Sequence, residues 1–520
     1  MNKLINEDTA VILTQSLKNS FNLTLIEANK YIVKIPGAKI FLKYLKSSYQ
    51  NDPYRVFFEL ALFFFLIWYF NHEKKKLTDK QKVVLTEKEI DELCQEWEPE
   101  PLVPDLTEFQ KEELRKTIVI SGQTSTKVKI QGDAKEKFNL ASFDFLSILN
   151  RESTKEKTIE ALRKYGVGTC GPRGFYGTID VHLELEQKLA KFVKTDGAAI
   201  YSQNFSTVSS AIPAFAKRGD TIVADDGSNL AIQVGNSISR SNLHLFKHND
   251  MKDLERVLED LKKKEQKKKS KTITRKFIVV EGLYMNSGDI APLPDLVRLK
   301  KKYKCRLIVE ESLSFGVLGK TGAGLAEHFN LPAQEVDIMV GSLTNSIGSS
   351  GGFVAGSKEV CEQQVLSGQA YTFSASLPAM LTVGALEALK ILELEGEKLL
   401  VDLKENIKIF WDTFTNKKFN LESKVEIFGG LKDPNVFSPV IFFRLKKVSK
   451  NRESDEKVLQ EICDLSLKDG VLVTRVSFCQ KQEKTLLPPT VRVVLCAGLS
   501  RKESEKCAYI LREAILKNTK

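Results

Sequence analysis

The 520-residue sequence predicts an α/β protein: a large domain on a mostly parallel sheet, a smaller C-terminal α+β domain, and a membrane-prone helix ahead of both. Three observations carry this. From about Ser142, short β-rich apolar runs alternate with helical segments, the pattern of a sheet covered on both faces. Beyond Ala375 a helical stretch leads into a second block of strands with a terminal helix. The first hundred residues instead hold one dense apolar run, VFFELALFFFLIWYF over 56–70. The whole chain is 42% hydrophobic and 28% charged, ordinary for a globular protein, which disfavours wholesale disorder and a polytopic membrane protein.

The elements follow in order. Residues 1–52 form an extension in which 23–45 carries apolar side chains at loose helical spacing with lysines at 30, 34, 39 and 43, broken at Pro36-Gly37. It reads equally as an interfacial amphipathic helix or a flexible basic extension. Residues 53–72 are expected to be an anchor helix. The apolar run of 56–70 spans about 22 Å as a helix, short of the roughly 30 Å hydrocarbon core, but Trp68, Tyr69 and Lys74 to Lys76 supply interfacial and snorkelling groups at one end. The run lies too far from Met1, and lacks the small-residue cleavage site, for a simple signal peptide. Residues 73–137 form a connector and arm, extended at 97–104 (WEPEPLVP) because its prolines forbid helix. The large domain, 138–390, is expected to hold strands over 198–202, 221–225, 277–281, 306–310, 338–341 and 353–355, with a helix over 295–303 just after Pro294. A helix over 377–400 leads into the small domain, 391–520, with strands over 440–445, 471–476 and 491–496 and a helix over 502–516.

Eight cysteines are spread thinly, with no CxxC pair and no Cys/His ligand spacing, so neither a disulfide framework nor a zinc site is indicated and reduced thiols fit best. His182, His244, His248 and His328 have no metal spacing either and read as structural or surface groups. The net charge of +11 has one dominant source: residues 262–276 (KKKEQKKKSKTITRK) hold nine basic residues and one acid, a net +8. The run is expected to be a solvated surface loop, so the chain is not read as a nucleic-acid binder.

The chemistry-bearing segments begin at 165–186, YGVGTCGPRGFYGTIDVHLELE, where five glycines permit close backbone approach. No strand-to-helix GxGxxG or Walker arrangement surrounds them. Arg173 within it suits a carboxylate, a phosphate or an internal ion pair. Later come Glu281-Gly282 with Gly288-Asp289, Ala291-Pro292-Leu293-Pro294, Val309-Glu310-Glu311 with Gly316 and Gly319, a glycine-bounded loop at 341–352, and Phe373-Ser374 with Leu377-Pro378. Taken together, from Phe138 to the C-terminus, this series resembles the α-oxoamine synthase family of fold type I pyridoxal-phosphate enzymes.

The resemblance implies a fold type I large domain and a reaction joining an amino acid to an acyl-CoA with loss of carbon dioxide, through a lysine that holds pyridoxal phosphate. That lysine belongs in the 341–352 loop, where the matching residue is Asn345, whose amide forms no Schiff base. Three further departures agree: the ring-stacking histidine is Asn229, the aspartate facing the pyridinium nitrogen is Glu310, and a histidine three residues on is Leu313. Lys358 lies too far along to substitute.

The sequence is most similar to the lysine-lacking subunits of heteromeric members. By that resemblance it has no catalytic residue of its own, and pyridoxal 5'-phosphate is held by a homologous lysine-bearing partner. The pair would condense L-serine with palmitoyl-CoA at the endoplasmic reticulum membrane, the catalytic body facing the cytosol and small membrane regulatory subunits attached. Cys170, Arg173, Asn229, Glu310, Asn345, Tyr371, Phe373 and Ser374 are then expected at the shared cleft or interface. Arg492 falls near the position at which active relatives hold a substrate carboxylate. Two rival readings are a self-sufficient synthase, which needs a lysine the sequence does not offer, and a membrane-tethered scaffold without catalysis.

Overall fold

A computed structural model describes residues 38–519, apart from 79–84, 104, 268–273, 430–436 and 480–481. The chain forms two compact units, Met1–Asp105 and Leu106–Lys520.

In the first unit the described helices are Ala38–Asn51, Pro53–Thr78 and Glu87–Glu96. The part of the expected 23–45 helix before Ala38 lies outside the described residues. Pro53 opens its helix at the position where a missing N–H costs nothing. Phe57, Phe58 and every residue from Leu62 to Phe70 are exposed, so this apolar stretch belongs to no buried core among the described residues. Among the described residues no helix is long and apolar enough to cross a membrane.

The second unit is organised around a seven-stranded sheet in the order Gly197–Tyr201, Gly352–Gly356, Ile338–Ser342, Arg306–Glu310, Lys276–Glu281, Thr221–Asp225, Asn242–Phe246. The last five run parallel, while Gly352–Gly356 is antiparallel to both its neighbours. Alternate residues feed two cores: Ile222, Ala224, Phe277 and Val279 pack on one face, Val223, Ile278 and Val280 on the other. Burial on both faces is why these strands read as unbroken apolar runs. Helices Asn204–Phe215 and Leu230–Ser239 pack on each other over the first face.

Two departures from the sequence expectation have plain causes. Part of the basic run is helical: residues 262–267 are the last turns of helix Met251–Lys267, where cations offset the helix dipole, and Leu254, Val257, Leu258 and Leu261 bury the inner face, while 268–273 lie outside the described residues. Lys276 opens the next strand, its ammonium 2.9 Å from Glu265. The strand expected over 471–476 is two: Val471–Leu472 joins a sheet with Lys137–Asn139, and Thr474–Arg475 pairs with Val491–Val494. Helix Ala379–Phe414 runs unbroken for 36 residues, about 54 Å, and packs on Glu152–Tyr165 and Arg501–Asn518.

Candidate functional site

Parallel strands leave their carboxyl ends on one edge of the sheet, the usual place for a ligand crevice in α/β folds. Here that edge is acidic. Asp225, Glu281 and Glu310 end three neighbouring strands, and Glu281 faces Glu310 directly across the ladder. All three are buried to 1% exposure or less.

Asn229 links the two glutamates. Its backbone N–H donates to Glu281 Oε1 at 2.7 Å and its Nδ2 to Glu310 Oε2 at 3.2 Å, while its Oδ1 caps helix Leu230–Ser239 by accepting from the Ile232 N–H at 3.1 Å. The remaining oxygens are also taken: Glu281 Oε2 accepts from Met285 N–H and Glu310 Oε1 from Ser312 N–H, both at 2.8 Å. Burial raises both carboxyls above the ordinary range, and the charge of Glu310 raises Glu281 further. Burial likewise lifts Glu311 to about 7 against the hydrogen bonds from Ser314 and the Leu325 N–H.

Asp225 anchors a second network. Its Oδ1 meets His248 Nδ1 at 2.8 Å, and its Oδ2 accepts from Tyr284 OH and the Asn249 N–H, both at 2.9 Å. His248 Nε2 lies 3.1 Å from Ser287 Oγ and 3.2 Å from Asp289 Oδ2. Burial works against a charge on this ring, but Asp225 and Asp289 outweigh it and hold the imidazole at about 10. Ser287, His248 and Asp225 thus have the connectivity of a hydrolytic triad without its chemistry, because an imidazolium donating from both nitrogens has no lone pair with which to activate the serine.

Asn345 sits at the same edge, 8% exposed, just past strand Ile338–Ser342. Its Nδ2 donates to the Ser312 carbonyl at 3.0 Å and its N–H to Ser342 Oγ at 3.3 Å. Ser346 follows with φ +55° and packs beneath Gly316, where a Cβ would stand 2.6 Å from that of Ser346. Leu313 is fully buried. Lys358 lies beyond the end of the antiparallel strand, at the opposite edge of the sheet, 79% exposed beside Glu362. The residues of this chain therefore do not fit pyridoxal phosphate held as an aldimine: no amine stands at 345, and both oxygens of Glu310 already accept from the chain's own N–H groups.

The other expected site residues divide. Arg173 is turned inward, its guanidinium bidentate on Glu186 at 2.8 and 2.9 Å, its Nε on Thr178 Oγ1 at 3.0 Å, and its face over the Tyr371 ring at 5.4 Å. Of its three expected fates, the internal ion pair is the one realised. Tyr371 is buried edge-on against Tyr201, whereas Phe373 and Cys170 are exposed and Ser374 Oγ lies 3.2 Å from Ser202 Oγ. Arg492 is half-buried over the Phe143 ring at 4.5 Å; its Nε makes no hydrogen bond, and desolvation lowers its pKa to about 10. The sequence reading missed Glu281, Asp225, Asp289 and Glu186 as site groups, although the position of the first two at the ends of predicted parallel strands was a usable signal.

Comparison with known proteins places this architecture. The family model for aminotransferases of class I and II matches residues 135–511, the stretch that holds the sheet and its acidic edge. Serine palmitoyltransferase 1 of Dictyostelium discoideum is 44% identical over 444 residues, 85% of this chain and 90% of that protein. Its namesake in Saccharomyces cerevisiae is 38% identical over 528 residues, 94% and 93% of the two chains. The chain belongs to the serine palmitoyltransferase 1 family. A solved serine palmitoyltransferase bearing an internal pyridoxal-phosphate aldimine superposes with a TM-score of 0.68 at 24% identity, covering 78% of this chain and 96% of that one. That likeness establishes for this member of the serine palmitoyltransferase 1 family a fold type I, aminotransferase-like α/β architecture with a mixed sheet.

Proposed function

We propose that this chain is the lysine-lacking subunit of a heteromeric serine palmitoyltransferase, which condenses L-serine with palmitoyl-CoA to 3-ketodihydrosphingosine, carbon dioxide and CoA in the first step of sphingolipid synthesis. The observation that carries it is Asn345: the residue at the aldimine position is an amide already hydrogen-bonded to Ser312. A homologous lysine-bearing subunit 2 holds the pyridoxal phosphate. This chain contributes surface to the shared cleft, with the exposed Cys170 and Phe373 as contact residues. Co-expression with that homologue is expected to give serine-dependent palmitoyl transfer. The isolated chain with added pyridoxal phosphate should show neither turnover nor a borohydride-sensitive visible band, and an alanine at the partner's lysine should cut activity at least about a thousandfold. Turnover by the isolated chain would refute the assignment.

The assembly is further proposed to sit at the endoplasmic reticulum membrane, catalytic body in the cytosol, with small membrane subunits beside it. Support comes from helix Pro53–Thr78, whose Phe63, Phe64, Leu66 and Ile67 are all exposed to solvent. Burying each such side chain in lipid is worth about 1.5–3 kcal/mol, so replacing all four by glutamine should weaken membrane partition by about 6 kcal/mol or more without touching a core. Flotation of the full-length variant measures this; unchanged flotation would reject the helix as anchor.

A further inference from the structure

The glycine-rich segment folds as a closed knot. The Pro172 carbonyl accepts from both Phe175 and Gly177 N–H groups at 2.9 Å, and Gly177 passes so close to Gly171 that a Cβ would stand 2.0 Å from the Gly171 carbonyl oxygen. Beneath the knot, the buried Arg173 is clamped by Glu186, which also accepts from the Ile200 N–H at 3.0 Å and so ties the loop to the first strand of the sheet. Ser376 adds a second fastening, its Oγ 2.6 Å from the Gly177 carbonyl and its N–H on the Gly171 carbonyl at 3.0 Å.

This fastening holds two aromatic rings out in water. Phe175 is 63% exposed and Tyr176 fully exposed, and Tyr176 is held at φ +63°, ψ +11°, a left-handed conformation that costs a residue other than glycine of order 1 kcal/mol. Phe373, 81% exposed, stands on the segment that Ser376 fastens to the same knot. A flexible loop would fold such rings inward. A rigid one that displays them, with its arginine turned away, is preorganised for an apolar contact.

We propose that Phe175 and Tyr176 form a subsite for the saturated acyl chain of the thioester substrate, completing a channel whose other wall is the lysine-bearing subunit. The proposal rests on the subunit reading above. Among the substrate's parts only the hydrocarbon chain suits this tip. The nucleotide end of an acyl-CoA carries several negative charges and serine is zwitterionic, and both call for a cation, which residues 174–177 (GFYG) do not supply while Arg173 is committed to Glu186.

The test is made in the co-expressed heterodimer. Phe175→Ala removes one ring. Tyr176→Gly removes the other while accepting the same positive φ, so it is not expected to unfold the knot. Complex formation by size exclusion, the visible cofactor band, KM for serine, and kcat/KM for lauroyl-, myristoyl-, palmitoyl- and stearoyl-CoA are measured. Both variants are expected to assemble with the cofactor band and serine KM unchanged, while the preference for palmitoyl over lauroyl falls about tenfold or more; Tyr176→Phe keeps the wild-type profile. An unchanged chain-length profile in an assembled, active complex would overturn the subsite. So would loss of assembly in both variants, which would make the tip a subunit anchor. A wild-type pair without palmitoyl transfer would instead bring down the subunit reading, and the subsite with it.

Discussion

Glu186→Ala is expected to lower the stability of the Leu106–Lys520 unit by ~3–5 kcal/mol, the largest effect of any single substitution around the glycine-rich knot. The Arg173 and Glu186 side chains are 5% and 15% exposed, and their two parallel hydrogen bonds at 2.8 and 2.9 Å form the bidentate geometry in which a desolvated guanidinium is best compensated. Removing the carboxylate strands a buried cation and also unpairs the Ile200 N–H. Arg173→Ala is expected to cost less, because the remaining carboxylate reaches more solvent and keeps the Ile200 hydrogen bond. The double replacement Arg173→Met with Glu186→Leu should cost less than Glu186→Ala alone, since no uncompensated charge remains. Urea denaturation of the three variants checks the order, and equal losses in all three would mean that packing dominates rather than charge. The same variants bear on function, because the clamp fixes the exposed tip: Glu186→Ala should lose palmitoyl transfer even below its melting temperature.

The two strands Thr221–Asp225 and Arg306–Glu310 were legible to the residue because both faces are buried and a chain buried on both faces has no polar alternation to blur its ends. Asn242–Phe246 was missed for the converse reason. It is one of the two edge strands, its exposed and half-buried positions accept Asn242 and His244, and its run of apolar residues is too short to stand out. The lysines at 262–264 misled because charge was taken as a sign of loop, although a helix whose inner face is already committed by Leu254, Leu258 and Leu261 tolerates lysine on every other side. The amide at 345 could be read directly from one position. The network beside it could not be read that way: that Asn229 would span two glutamates depends on residues 52 and 81 positions away in sequence, brought together only by parallel strand order. The same holds for His248, whose partners Asp225 and Asp289 stand 23 and 41 residues off, so no local spacing announced them.

That histidine gives the protein a pH dependence of definite sign. With His248 held at about 10 against roughly 6.5 in the unfolded chain, the native state binds more protons between these values, so its stabilisation is complete below about pH 6.5 and is lost as pH rises through about 10. His248→Gln leaves Asp225 fully buried without its cation and is expected to cost ~2–3 kcal/mol near pH 6, the gap from wild type closing as pH approaches 10. The buried carboxyls act in the same direction over a lower window: Glu281, Glu310 and Glu311 all titrate above the ordinary carboxylate range in the folded chain, so stability also falls as pH rises from about 5 to 8. The two contributions separate in a melting series from pH 5 to 10. The variant should keep the wild-type slope below about pH 6.5, where only the carboxyls titrate, run shallower than wild type from there to about pH 8, and be flat from 8 to 10, where wild type still falls. A variant running parallel to wild type throughout would show that His248 is neutral in the folded protein, leaving the ring of the triad-like Ser287, His248 and Asp225 a lone pair with which to accept the serine proton.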